Sequence, residues 1–193
     1  MTSAAPKNPE TPETPDTRKP ETVRLMLLLF AVAVGGEILH QVLNVVIGLM
    51  DPSALLAAAR DAVSEEQAAE LGEGTVTTSV YASIFLAGGL GIAIMGLLAF
   101  MLAQINRRSR YAGLARRMLL VFGFYFGFRI LLLFFAAPGG NDVPLAMYLV
   151  DGSVQILVGV AAVLGLVFSF RPETLRWTRE VDESGKSTDP RRK

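Results

Sequence analysis

Four polar side chains within one apolar segment are the residues of this 193-residue sequence that are best suited to chemistry. Their spacing of i, i+3, i+4 and i+7 places them on one helical face, within about 100° of arc. A carboxylate, an imidazole and two amides on one face can exchange protons or hydrogen bonds. Because lipid does not solvate such groups, they must face other helices or a wet cavity. The four are Glu37, His40, Gln41 and Asn44.

Three more polar residues, Arg129, Asp151 and Gln155, occur in two later apolar segments. If residues 138–144 form the turn between those segments, Arg129 and Asp151 lie at matched depth, roughly 10–14 Å from the turn. An ion pair is the simplest way to hold two opposite charges in an apolar slab. The sequence therefore predicts an Arg129–Asp151 pair, with Gln155 on the same face as Asp151. We call these three residues and the preceding four the polar cluster.

The charges of the polar cluster do not balance without an added proton. Glu37 and Asp151 bring two negative charges, whereas Arg129 brings one positive charge. The cluster is neutral only if His40 is protonated or one carboxyl group keeps its proton. We therefore expect the cluster to hold one proton, whose position the sequence leaves undecided.

Four long apolar runs must position these residues. Each run is long enough to cross about 30 Å of hydrocarbon as a helix, the conformation that satisfies backbone hydrogen bonds in lipid. The sequence therefore predicts an all-α, polytopic membrane protein with a four-transmembrane-helix bundle over residues 23–171. The expected helices are about 24–50, 79–103, 118–137 and 145–170.

The segments outside these runs are polar. Prolines, threonines and mixed charges predict disordered tails at residues 1–22 and 172–193, apart from a short helix near Thr174–Glu180. The outer loop, 51–78, has helix-start patterns at Asp51-Pro52-Ser53 and at Ser64, which predict two short amphipathic helices.

The orientation follows from the distribution of charge. The loop between the first two runs is acidic, whereas the segment between the second and third runs contains five arginines and no acid. Positive residues favour the cytoplasmic side, so both termini are predicted to be cytoplasmic in a multi-pass protein of the cell membrane. Contact of the arginine segment with anionic lipid is a second expected role. Its arginines are Arg107, Arg108, Arg110, Arg116 and Arg117.

Several classes of function have no support in the sequence. The chain has no cysteine, which excludes disulfides and thiolate metal sites. The common nucleophile, phosphate-binding and zinc-protease motifs are missing, so no catalytic residue, no metal ligand and no cofactor is assigned. Charge is balanced at eighteen basic and eighteen acidic residues, which gives no indication of nucleic-acid binding. The expected surroundings are a lipid bilayer and a membrane-protein partner or a second copy of the chain.

Three interpretations of the polar cluster remain open. Polar groups can join membrane helices, which fits a non-enzymatic accessory or assembly subunit of a cell-envelope or respiratory membrane complex. Alternatively, Glu37, His40, Arg129 and Asp151 are the parts of a proton-coupled transport site. Glu37-x-x-His40 also has the spacing of one ligand pair of a di-iron bundle, and a haem site or a lipid-processing site belongs to this third interpretation.

In layout the chain resembles the small four-helix membrane proteins of actinobacteria. The resemblance rests on a Pro/Thr/Glu-rich start, on helices rich in Ala, Gly and Leu, and on a charged tail. It implies a membrane bundle and assigns no functional residue.

Overall fold

The residues that the structure describes form a bundle of four long helices with two short ones. The computed structural model describes residues 18–62, 72–135, 143–181 and 186–187, and within these ranges the chain is helical apart from turns and one isolated β-bridge. The prediction of an all-α fold is thereby confirmed. The helices are α1 (Glu21–Met50), α2 (Ser53–Asp61), α3 (Glu73–Asn106), α4 (Ala112–Leu133), α5 (Leu145–Ser169) and α6 (Pro172–Trp177).

The four long helices form a closed ring. Helix α1 packs on α5, α5 on α4, α4 on α3, and α3 on α1. Helices α1 and α4 therefore lie diagonally opposite each other. Neighbouring helices alternate in direction, so that Lys19 at the start of α1 contacts Asn106 at the end of α3. We call this end of the bundle, which also carries the turn 107–111 and α6, the basic end, and the other the α2 end.

Three of the long helices have the length and the composition of membrane spans. They are Glu21–Met50, Gly74–Asn106 and Leu145–Ser169, with mean hydropathies of 1.9, 2.3 and 2.1. Helix α4 is not among these three because it carries three arginines, Arg116, Arg117 and Arg129. The apolar helices indicate a lipid bilayer as the environment of the protein.

Helix α3 begins at Glu73, six residues before the predicted start at Ser79. The polar residues in its first turns fit a helix because the hydroxyl groups of Thr78 and Ser79 donate to the backbone carbonyls of Gly74 and Thr75. Gly72 precedes α3 with a φ of 74°. The second predicted outer helix, near Ser64, lies outside the described residues.

The boundaries of α4 differ from the prediction for another reason. The helix begins at Ala112 rather than at residue 118, and it ends at Leu133. Its first two turns include Arg116, which sequence reasoning left in the loop. This arginine is buried because a carboxylate and a backbone carbonyl at the basic end bind its guanidinium group.

Glycines bring the helices close together around Phe30, which is 2% exposed. A β-carbon at Gly123 would lie 2.8 Å from Leu166, and one at Gly165 would lie 3.0 Å from the Phe30 ring. Glycine at these two positions therefore makes room for the aromatic ring in the core. Packing of small residues at helix contacts is typical of membrane bundles.

The segment after α5 is docked on the bundle rather than leaving it as a tail. Helix α6 begins two residues earlier than predicted, and Thr174 within it is fully buried. The indole nitrogen of Trp177 donates to the carbonyl oxygen of Ile105 on α3 at 2.8 Å. Residues 172–181 therefore close the basic end, whereas 1–17, 182–185 and 188–193 lie outside the described ranges.

Candidate functional site

Glu37 and Arg129 form a bidentate ion pair inside the bundle. Nη1 of Arg129 donates to Oε1 of Glu37 at 2.8 Å, and Nη2 donates to Oε2 at 2.6 Å. The Glu37 side chain is 2% exposed and that of Arg129 is 15% exposed. The aromatic rings of Tyr125 and Phe126 lie 6.0 and 5.8 Å from the guanidinium carbon and cover the arginine. Parallel hydrogen bonds of this kind fix both the distance and the orientation of the two groups.

His40 and Asp151 form a second pair, between α1 and α5. Nδ1 of His40 lies 2.6 Å from Oδ1 of Asp151, and the side chains are 12% and 13% exposed. Gln155, one turn further along α5, donates from Nε2 to the other carboxylate oxygen at 2.8 Å. Both oxygens of Asp151 therefore have a hydrogen-bond partner in this chain.

The pairing differs from the prediction that Arg129 binds Asp151. Instead, Arg129 binds Glu37 across the diagonal of the ring, and Asp151 pairs with His40. Depth counted from the turn gives the height of a residue in the bundle but not the direction in which its side chain points. The prediction that Gln155 shares a face with Asp151 agrees with the hydrogen bond between them.

Gln41 belongs to the first pair, whereas Asn44 lies apart from both. Nε2 of Gln41 donates to Oε1 of Glu37 at 2.9 Å. Asn44 is exposed and lines a cavity of about 230 Å³ between α1 and α3, together with Gln41 and Ser83. A second cavity, of about 330 Å³, is lined by Glu37, Gln41 and residues of α3 and α4. Gln41 thus borders both cavities.

Glycines of α3 determine how closely α3 approaches this site. A β-carbon at Gly91 would lie 2.6 Å from the amide carbon of Gln41, and one at Gly88 would lie 2.3 Å from Val45. Gly89 and Gly96, on the other face of α3, have no neighbouring atom within 4 Å of such a β-carbon. Gly88 and Gly91 therefore lie against α1, whereas Gly89 and Gly96 face outward from the described chain.

The charges of the two pairs decide what the cluster offers chemically. Glu37 and Arg129 neutralise each other, and Asp151 has His40 as its partner. The described residues contain no group of three His, Asp or Glu side chains that could hold a metal ion. In addition, Arg129 occupies both oxygens of Glu37, the acid of the Glu37-x-x-His40 spacing. The arrangement therefore offers two hydrogen-bonded pairs, each of one acidic and one basic side chain.

A second group of charges at the basic end was not predicted. Arg116 donates to the Glu180 carboxylate through Nε and through Nη2, the latter at 2.8 Å. Its Nη1 donates to the Ser169 carbonyl oxygen at 3.1 Å. Arg117 donates to Glu180 at 3.1 Å, and so does the hydroxyl group of Thr178. These contacts tie α4, the end of α5 and the segment after α6 together.

The position of Glu180 among these donors changes its acidity. Burial raises the pKa of the Glu180 carboxyl group, whereas the hydrogen bonds and charge of Arg116 lower it. Hydrogen bonds from Arg117 and Thr178 act in the same direction, so the pKa of Glu180 lies below its usual value of 4.5. Glu180 is therefore the ionised partner of two arginines at neutral pH.

The five arginines predicted as a basic loop separate into two groups. Arg116 and Arg117 lie within α4 and bind Glu180. The guanidinium group of Arg108 lies 5.1 Å from the centre of the Trp177 ring, and that of Arg110 lies 4.7 Å from the ring of Tyr111. Arg107 follows the end of α3 and is exposed.

Comparison of the chain with protein-family models, with curated proteins and with solved structures finds no match.

Proposed function

We propose that this chain is a four-span membrane protein that serves as a non-enzymatic accessory or assembly subunit of a bacterial membrane complex. Helix α4 is the fourth span, and both termini lie in the cytoplasm. The observation that carries the proposal is that the charges of the polar cluster are paired with each other. Polar side chains that are paired in this way hold membrane helices in one register.

Membrane insertion of α4 is consistent with the positions of its arginines. Arg129 is neutralised by Glu37 inside the bundle. Arg116 and Arg117 lie in the first two turns at the basic end, where Glu180 binds them. The helix therefore presents no unpaired arginine to the middle of the membrane, and its 22 residues span about 33 Å.

The orientation can be tested with single cysteines because the chain has none of its own. Ala57→Cys on α2 and Ser187→Cys after α6 are both at exposed positions. In intact cells we expect a membrane-impermeant maleimide to label Ala57→Cys and to leave Ser187→Cys unlabelled until the cells are opened. Labelling of both in intact cells, or of Ser187→Cys alone, would exclude the proposed orientation.

Helix α3 offers the surface for a partner. It has the lowest buried share of the three candidate spans, 22% against 33% and 39%. Gly89, Ala93 and Gly96 follow one another along its exposed face, and small residues allow a second membrane helix to approach closely. This face supports the proposal of a partner subunit.

The test is purification of the tagged protein in mild detergent, followed by native mass spectrometry. We compare the wild type with Gly96→Leu on the exposed face of α3. Gly35→Leu is the matched control, because Gly35 is also exposed and a β-carbon added there would have no atom within 4 Å. We expect a partner mass with the wild type and with Gly35→Leu, and its loss with Gly96→Leu. A wild-type protein that is always recovered alone as a monomer would contradict the proposal.

Proton-coupled transport is a second candidate, favoured by the two cavities that border Gln41. The cavity lined by Ser83 opens toward Leu55 of α2, and the other reaches Glu37. A hydrated route from the α2 end to the ion pairs is what a proton relay requires. Proton uptake by liposomes that contain the protein tests this function. Uptake above that of empty liposomes, abolished by Ser83→Ile and kept by Ser79→Ile, would support transport in preference to an accessory role.

A further inference from the structure

A groove between the start of α1 and the end of α3 combines a basic mouth with an apolar wall. Its volume is about 410 Å³. Lys19 and Arg24 lie at the basic end of the groove. Leu27, Leu28, Ala31 and Leu102 form its wall. From Arg24 to Ala31 the groove follows α1 for about 10 Å. The lining of the groove therefore matches the two parts of a phospholipid, a polar head group and an apolar chain.

The head region of the groove is positively charged. The Lys19 ammonium group donates to the amide oxygen of Asn106, a neutral acceptor that fixes the lysine without cancelling its charge. Arg24 is exposed on the same side. None of the described residues that line the groove is acidic, and Glu21, one turn before Arg24, is not part of the lining. An anionic group at this place would be bound by two cations.

The wall of the groove is exposed to the surroundings of the bundle. The Leu28 side chain is 58% exposed, whereas Leu102 behind it is 9% exposed. Both helices are candidate membrane spans, so lipid chains are the medium outside the groove. A chain along this wall lies in the hydrocarbon region while its head group stays at the level of Lys19 and Arg24.

We propose that the groove between α1 and α3 binds one anionic phospholipid, with its phosphate on Lys19 and Arg24 and an acyl chain along the wall. The site lies at the basic end, away from the polar cluster. It depends only on α1 and α3 lying in the membrane, and it is independent of the proposed role as a subunit. Basic residues at a membrane surface each contribute about 1 kcal/mol to binding of anionic lipid, which corresponds to roughly a fivefold change in affinity.

Native mass spectrometry of the detergent-solubilised protein with added phosphatidylglycerol or phosphatidylcholine tests the site. We expect one phosphatidylglycerol per chain, retained in preference to phosphatidylcholine at equal concentration. Arg24→Gln should weaken this binding roughly fivefold. Arg107→Gln is the matched control, since it removes an exposed arginine at the same end but outside the groove. Ala31→Leu should weaken binding by filling the wall without any change in charge.

Each alternative has its own outcome in this experiment. Equal weakening by Arg24→Gln and Arg107→Gln would mean that net surface charge attracts the lipid, which would overturn the proposal. Equal retention of phosphatidylcholine would overturn the placement of the head group. Full retention of phosphatidylglycerol by Ala31→Leu would overturn the placement of the acyl chain. Displacement of the lipid by millimolar inorganic phosphate would mean a free phosphate site. Unchanged emission of Trp177, which lies outside the groove, shows that each variant keeps its fold.

Discussion

Arg129 on α4 binds Glu37 on α1 with two hydrogen bonds, at 2.8 and 2.6 Å, across the diagonal of the helix ring. The two helices are not neighbours in the ring, so the ion pair joins elements that backbone packing leaves apart. Most contacts of the bundle link adjacent helices. This pair sets the distance between opposite ones, and it is the first place at which the stability of the bundle should be probed.

Removal of one partner of this pair should destabilise the protein strongly. Glu37→Gln leaves Arg129 inside the bundle without a countercharge, and we expect a loss of about 3–5 kcal/mol in the free energy of unfolding. Equilibrium unfolding in mixed micelles with increasing sodium dodecyl sulfate measures this loss. Asn44→Ala, at an exposed position on the same helix, should change stability by less than about 0.5 kcal/mol.

The double variant distinguishes pairing from general packing. Glu37→Gln combined with Arg129→Gln should lose less than the sum of the single losses, by about 1–3 kcal/mol, because the second change removes the uncompensated charge. Strictly additive losses would mean that the two side chains act independently in the folded protein.

Asp151→Asn should have a smaller effect than Glu37→Gln. The amide keeps hydrogen bonds toward His40 and Gln155, and the site is more exposed, at 13% for Asp151 against 2% for Glu37. We expect a loss of about 1–2 kcal/mol in the same unfolding experiment. Ser153→Ala is the control on α5, since its hydroxyl group bonds only within the helix, to the Leu149 carbonyl. If Asp151→Asn lost as much unfolding free energy as Glu37→Gln, the Glu37–Arg129 pair would not be the more stabilising of the two pairs.

Gly159→Ala should destabilise the contact between α5 and α4. The added methyl group would lie 2.2 Å from Ile130 and 3.0 Å from the backbone oxygen of Phe126, and backbone cannot yield as a flexible side chain can. We expect a loss of about 1–3 kcal/mol. Gly152→Ala on the same helix has nothing within 4 Å and should be neutral or slightly stabilising. Equal stabilities of the two variants, measured by the same titration, would contradict the close packing at Gly159.

Docking of the segment after α5 should depend on pH through Glu180. Its pKa in the folded protein is below 4.5, so the ionised carboxylate stabilises docking at higher pH, and this stabilisation is lost as the pH falls through the folded pKa. Trp177 is the only tryptophan of the chain, so its emission reports on docking directly. We expect a red shift as the pH falls from 7 to 3.

Two variants separate Glu180 from other acids. Glu180→Gln should show the red-shifted emission already at pH 7, with little further change in acid. Glu173→Gln, an exposed acid on α6, should keep the wild-type profile. A wild-type profile in Glu180→Gln would mean that the arginine contacts do not hold the segment.

The long helices were predictable from the sequence because each is a long apolar run, and the face shared by Glu37 and Gln41 follows from helical spacing. The partners of Arg129 and Asp151 were not predictable. They depend on which helices lie diagonally opposite, and hydropathy carries no such information. The docking of α6 was also missed, since residues 171–180 are as polar as a tail. In that segment Trp177 was the one residue whose type indicated a contact.

The diagonal ion pair also constrains how the protein is made. Glu37 precedes Arg129 by 92 residues, and His40 precedes Asp151 by 111. During synthesis, α1 therefore enters the membrane long before either countercharge exists. Until then Glu37 lacks its arginine, and an unpaired charge in lipid is costly. Both pairs of α1 are therefore completed only after α4 and α5 have been made.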